Sequence, residues 1–241
     1  MWFDIGSYSI VKERDVFMPI PLGEARMVAV IGAGGKTTTL GLLAQAYQQK
    51  RVLLTTTTHI RPFSSEICQR LLCDPTPQEL EAALSLSGVT CAGAREGEHK
   101  LSALSPDLME LARKKAQLVI YEADGARMLP LKLHRSFEPV ILPYTDLCIV
   151  VAGLSALGRT VQDCVHCYQL HPHWAQHPQL VVDEDVVLHC IQDAMQAGGL
   201  PMEKYHVLLN QAYTPKQAQV ALRLRDTLTA QGIPCTIRPA P

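Results

Sequence analysis

From residue 27 to residue 237, short apolar runs rich in β-branched residues alternate with segments of helical character. Residues 27–31 carry no polar position and predict a strand buried on both faces. Residues 38–49 predict the helix that follows, and residues 52–58, rich in Val and Thr, a second strand. Thr76-Pro77-Gln78-Glu79 is a capping box with proline at the first helical position, opening a helix to about residue 86. Ser105-Pro106-Asp107 opens another, to about residue 115. Residues 117–123 and 147–152 read as buried strands. Residues 183–197 form a helix stopped by Gly198-Gly199, 205–209 a strand, 215–231 a helix and 234–237 a last strand.

Strands without polar alternation, joined by helices, imply an α/β fold: a mostly parallel sheet with helices on both faces, like that of a P-loop NTPase. No repeat, low-complexity tract or Gly/Ser linker divides the chain. The expectation is a single nucleotide-binding domain over residues 1–241, with residues 1–25 as an N-terminal appendage. Ligands of such sheets bind beyond the carboxyl ends of the strands, which directs attention to the loops starting at Gly32, Thr58, Glu122, Gly153 and Asn210.

The loop after the first strand is Gly32-Ala33-Gly34-Gly35-Lys36-Thr37-Thr38. Glycines allow backbone N–H groups to turn toward a phosphate, and the following helix adds its positive dipole end. Lys36, expected to face solvent, supplies a charge for the β- and γ-phosphates, and Thr37 a hydroxyl for magnesium. The usual Walker pattern has a glycine where this chain has Val30, so the loop is a shortened variant resembling the Gly-x-x-Gly-Lys-Thr-Thr loop of the Mur ligases. A dinucleotide-binding turn shares Gly32 and Gly34 but leaves Lys36 unexplained. The implied ligands are ATP or GTP with Mg2+.

The strand over 118–122 ends in Glu122-Ala123-Asp124-Gly125. A carboxylate closing such a strand holds magnesium in phosphate-loop proteins, and two carboxylates two residues apart share one side of a strand. Asp124 is the first choice for the metal and Glu122 the second, with Thr37 as the hydroxyl ligand; Lys36, Asp124 and Glu122 form the candidate catalytic set. A cap on the following turn is the bland alternative for Asp124. Arg127 and Lys132 border the same crevice as candidate anion clamps. Thr55 to Thr58 and His59 end the second strand, where hydroxyls suit a water or metal as well as plain strand composition.

Asn210-Gln211-Ala212-Tyr213 stands where GTP-binding proteins carry Asn-Lys-x-Asp. Asn210 is therefore a candidate nucleotide contact. The carboxylate that reads guanine is replaced by Tyr213, which predicts little preference between ATP and GTP and a mild lean to ATP. Cys164, Cys167, His171 and His173 have ligand-type side chains in a short loop, but no second Cys-x-x-Cys completes a metal pattern.

Composition limits the partners more than it names them. The formal net charge is −1 with 47% hydrophobic residues, so no basic excess points to nucleic acid. No stretch reaches the roughly 18–20 apolar residues that cross a bilayer. Residues 1–10 lack a cationic start and apolar run, and the eight cysteines are scattered, which predicts a cytoplasmic protein with reduced thiols.

Several segments together resemble one family. These are the loop from Val28 to Thr38, the strand Val52 to Thr58, Glu122-Ala123-Asp124-Gly125-Ala126-Arg127 followed by Leu129-Pro130-Leu131-Lys132, and the stretch Val151 to Gly158. In order, over about residues 25–215, they are similar to the YqeC-type proteins, accessory factors of selenium-dependent molybdenum hydroxylases. The resemblance implies a part in making or inserting the selenium-containing cofactor of such enzymes, with the hydroxylase or its cofactor-assembly proteins as partners. Tyr213, where the family leads one to expect aspartate, departs from it. Two other readings stand beside an NTPase: an ATP-dependent ligase or kinase acting on a small anionic substrate, and a non-catalytic nucleotide-gated chaperone or switch.

Overall fold

The computed structural model describes residues 20–97 and 99–239. In chain order, β1 (Met27–Gly32) and α1 (Lys36–Ala46) are followed by β2 (Arg51–Thr56), β3 (His59–Ile60), β4 (Arg70–Cys73) and α2 (Pro77–Leu84). Then come β5 (Gly88–Glu96), β6 (Lys100–Ser102), α3 (Pro106–Lys115), β7 (Leu118–Glu122), β8 (Leu131–Lys132) and β9 (Leu147–Gly153). The remainder holds α4 (Val161–Cys164), β10 (Val165–His166), α5 (Pro172–Gln176), α6 (Glu184–Gly198), β11 (Tyr205–Ala212), α7 (Pro215–Ala230) and β12 (Cys235–Pro239).

The main sheet has the order β12-β11-β9-β1-β7-β2-β5-β6-β3, with β4 also paired to β5. Every pairing from β12 to β5 is parallel. β6 runs antiparallel to both β5 and β3. β1 is central, and all six of its residues are buried. Its side chains alternate between two cores, as the period of two requires. Met27, Ala29 and Ile31 join the core under α2, α3, α6 and α7; Val28 and Val30 join the core under α1. The fold is thus the expected mostly parallel α/β sheet covered on both faces, and it is compatible with a P-loop NTPase.

Element ends follow local chemistry. Thr76 forms the expected capping box with Glu79. Gly199 closes α6 in the left-handed region, and Thr214 with Gln217 makes a second capping box on α7. α1 starts two residues earlier than its apolar pattern indicates, at Lys36, because Gly35 serves as its N-cap. β5 had no β-branched run to announce it: Gly88, Cys91, Ala92, Gly93 and Ala94 dilute Val89 and Thr90. Most of the expected N-terminal appendage lies outside the described residues, while Ile20 and Leu22 are buried in the α1 core. Among the described residues no helix is long and apolar enough to cross a membrane.

β7 is anchored by Tyr121, which is fully buried. Thr145 Oγ1 already donates to Leu142 O (2.7 Å), so the Tyr121 hydroxyl donates to Thr145 Oγ1 (2.5 Å) and accepts from the Leu142 amide (3.0 Å). Tyr121→Phe strands both partners and should lower stability by about 1–3 kcal/mol. Urea titration checks this; an unchanged midpoint and slope would contradict it.

Candidate functional site

Three glycines at the carboxyl end of β1 have positive φ: Gly32 at 88°, Gly34 at 87° and Gly35 at 122°. The requirement is steric as well as torsional. A Cβ on Gly34 would lie 2.5 Å from Gly153 Cα and 2.7 Å from Pro130 O, and one on Gly35 would overlap the Asn210 side-chain nitrogen. Ala33 N donates to Val151 O (2.8 Å), pinning the loop to β9. Among the described residues, the amides of Gly34, Gly35, Lys36, Thr37 and Thr38 meet no acceptor. They form a run of unspent donors at the N-terminus of an 11-residue helix, the arrangement that receives a polyanion. The Thr37 and Thr38 side chains are exposed.

Lys36 does not face solvent as the sequence suggests. It is 5% exposed, and its Nζ donates to Gly32 O (2.7 Å) while lying 2.9 Å from Asp124 Oδ1 and 3.4 Å from Glu122 Oε1. The cause is strand register: Val30 pairs with Glu122, which sets the acidic end of β7 beside the glycine loop. Burial works against the Lys36 charge, but Asp124 and Glu122 outweigh it and raise its pKa.

Asp124 has no solvent exposure. Its Oδ2 accepts from Gly32 N (2.9 Å) and faces His134 Nε2 (2.8 Å) and Lys132 Nζ (3.2 Å). Its Oδ1 has the Lys36 charge beside it but no aligned hydrogen bond. Burial disfavours the carboxylate, yet Lys36, His134 and Lys132 together hold it well below the usual carboxylate range. His134 Nδ1 meets Asp193 Oδ2 at 2.7 Å, and Asp193 also accepts the His134 amide at 2.9 Å. A carboxylate on each ring nitrogen calls for a donor on both. Burial lowers the His134 pKa, but Asp124 and Asp193 outweigh it and raise it. Lys132, 2% exposed, donates to Gly125 O (2.7 Å) and Glu138 Oε2 (3.0 Å), so it is part of this network and not a free clamp. Glu122 is different: Lys36 is its sole side-chain partner among the described residues, and burial raises its pKa despite that lysine.

The flanking segments are largely occupied with holding this frame. Thr56 Oγ1 donates to Glu122 O (2.9 Å) and Thr57 Oγ1 to Val140 O (2.7 Å), which fastens the end of β2. His59 pairs with Glu96 near the sheet edge. Arg127 is exposed with a left-handed backbone, φ 47°. Asn210, 3% exposed, donates from Nδ2 to Gly34 O (2.6 Å), so its carboxamide nitrogen braces the loop. Gln211 turns left-handed at a bulge in β11 and accepts from Ser155 Oγ (2.7 Å); Tyr213 is exposed. The Cys/His stretch is not assembled as a metal centre. Cys164 Sγ donates to Thr160 O, His171 stacks on Trp174, and His173 packs on His177. Among the described residues no group of three His, Cys, Asp or Glu side chains could hold a metal. Nothing local in the sequence marks His134 or Asp193, which enter the network by tertiary packing.

For a divalent ion, the donor chemistry is hard oxygen: an exposed Thr37 hydroxyl, a sparsely engaged Glu122 and the unaligned Asp124 Oδ1. That set suits magnesium completed by phosphate and water oxygens better than a softer metal.

The family model described as "YqeC protein" matches residues 28–169, which takes in the phosphate loop and the acidic end of β7. The uncharacterized protein YqeC of Escherichia coli (strain K12) is 31% identical over 140 residues, covering 56% of this chain. The aligned part is 54% of that relative, so the chain spans about half the length of the curated relative it matches.

The network gives a pH-dependent expectation. His134 has a raised folded pKa, so its charge contributes stability that is complete below its unfolded value of about 6.5 and is lost as pH rises through the folded one. The stability advantage of the wild type over His134→Gln, which keeps a neutral donor, should therefore shrink as pH climbs above neutrality. Denaturant titrations across a pH series measure it; an advantage growing with pH would contradict the assignment.

Proposed function

The chain belongs to the YqeC family, and from that premise we propose that it is a magnesium-dependent nucleoside-triphosphate-binding protein that turns over its nucleotide as an NTPase. The observation carrying this reading is the run of five unclaimed amides from Gly34 to Thr38, opening α1 beside Lys36 and two carboxylates. The amides suit the bridging and non-bridging oxygens of a di- or triphosphate. Lys36 would exchange part of its carboxylate contacts for the β- and γ-phosphates. Thr37 and Glu122 would hold magnesium, which neutralises charge on the transferring phosphoryl group. Geometry favours Glu122 over Asp124 in that role, since Asp124 has no solvent exposure, its Oδ2 is spent on Gly32, His134 and Lys132, and Lys36 stands at its Oδ1. Asp124 is then a positioning residue that ties the loop to β7. Turnover is attack of a water oxygen on the γ-phosphorus, with cleavage of its bond to the β–γ bridging oxygen. The nucleoside diphosphate leaves, and the water proton ends on orthophosphate.

The biological setting follows from the family resemblance: a cytoplasmic accessory factor in selenium and molybdenum cofactor maturation, acting with a molybdenum hydroxylase or its assembly proteins. A nucleotide-gated switch is a second reading, favoured by one feature. The segment after Asp124 carries exposed Met128 and Phe137, and Val140 beyond them, so a change at the carboxylates has a short path to an apolar surface.

Lys36→Ala should weaken MgATP and MgGTP binding at least tenfold, with folding confirmed by circular dichroism. Unchanged affinity in isothermal titration would refute the loop assignment. Glu122→Gln should reduce magnesium-dependent binding far more than metal-free binding; equal losses would assign Glu122 a structural role. Because Asn210 braces the loop and Tyr213 replaces a guanine-reading carboxylate, ATP and GTP should compete nearly evenly. A GTP preference above about a hundredfold, or ~2.7 kcal/mol, would show that another carboxylate reads the base.

A further inference from the structure

Arg238 stands on β12, at the edge of the sheet, and its guanidinium reaches back over the phosphate loop. Its Nη2 lies 3.7 Å from where a Cβ would sit on Gly35. Its Nη1 is buried and, among the described residues, makes no hydrogen bond. Burial disfavours its charge, and the group acting in favour of that charge is the Tyr213 phenol, with no carboxylate contributing. A half-buried guanidinium with an unspent donor and, among the described residues, no counter-anion is a costly arrangement unless an anion completes it. The residue after which Arg238 reaches is the same Gly35 whose amide, with its four neighbours, is unclaimed.

The sheet order bears on which part of a ligand it would meet. β7, with Glu122 and Asp124, lies on one side of β1; β9, β11 and β12 lie on the other. A triphosphate whose terminal phosphate faces Lys36 and whose magnesium faces Glu122 would have the β11 and β12 side of β1 for its α-phosphate and nucleoside. We propose that Arg238 is a nucleotide-binding residue that donates to the α-phosphate, gripping nucleoside di- and triphosphates alike. The inference rests on the triphosphate reading of the loop and adds a contact on its nucleoside side. Arginine suits the task because its planar fork offers two parallel donors to phosphate oxygens and stays charged when partly desolvated. The phosphate contact carries no base information, so it is consistent with an even choice between adenine and guanine. It also implies that the diphosphate product is held by the same contact as the substrate.

The test is calorimetric titration of MgATP, MgADP and MgGTP into the wild type, Arg238→Ala and Arg238→Lys. Arg238→Ala should weaken all three by a similar factor, roughly tenfold or more, and Arg238→Lys, which keeps the charge but loses the fork, by less. Thermal unfolding of each variant confirms that the edge strand survives. Wild-type binding that is unchanged in Arg238→Ala overturns this proposal and leaves the loop assignment intact. A loss confined to MgATP and MgGTP places the guanidinium at the terminal phosphate, and a loss confined to one base places it at the purine edge; either overturns the α-phosphate assignment. Failure of the wild type to bind any of the three overturns the triphosphate reading and this proposal together.

Discussion

Asp124 accepts a backbone N–H from the phosphate loop and a ring nitrogen of His134, and it faces the ammonium groups of Lys36 and Lys132, with no exposure to water. Two stretches of chain, the glycine loop with the first turn of α1 and the segment around β8, therefore converge on one carboxylate. Through Gly32 it holds the loop; through Lys36 it holds the first turn of α1. Through Lys132 and His134 it holds the segment around β8, and through Asp193 beyond His134 it reaches α6. Taking this many charges out of water is favourable only if each is paired and its remaining donors are satisfied, which the contacts to Gly125 O, Glu138 and Gly32 O accomplish. Removal of one member leaves an uncompensated buried charge, typically at a cost of about 3–5 kcal/mol. The loop's shape is thus a consequence of electrostatics as much as of glycine.

Lys36 is at the junction between this frame and any ligand. Its ammonium is shared between Gly32 O, Asp124 and Glu122, so a phosphate must compete with carboxylates already in place. Glu122 would repel an approaching phosphate, and a divalent cation between the two removes the repulsion. This is a physical argument for the proposed magnesium dependence that does not rely on the loop pattern. On the opposite flank, Asn210 and Arg238 close around Gly34 and Gly35, one bracing the backbone and the other bringing its guanidinium beside Gly35.

What could be read from the sequence was what is local. β1, the glycine loop and α1 form one contiguous unit whose apolar run, φ requirements and helix start lie side by side, and the acidic end of β7 is marked by an apolar strand that stops. The capping boxes at Thr76 and the proline start after Ser105 were equally plain. The burial of Lys36 is not local: it depends on Glu122 standing in register with Val30, which brings Lys36 and Glu122 together across 86 positions. Asn210 offered a base-reading pattern, yet its nitrogen is directed to Gly34 across a separation of 176 residues. His134, Asp193 and Arg238 lie in unremarkable local contexts; their meaning is made by tertiary packing. β5 escaped because small residues there pack well without looking β-branched, and β3 and β6 because two or three residues carry no periodicity.

The central claim is that the amides opening α1 are a phosphate site. The most direct measurement is an amide-resolved NMR titration of the 15N-labelled protein with MgATP. The account predicts that the largest shifts fall on Gly34, Gly35, Lys36, Thr37 and Thr38, and that the same titration with inorganic phosphate alone produces smaller changes at the same positions. Saturable shifts centred elsewhere, or none at millimolar MgATP, would contradict it.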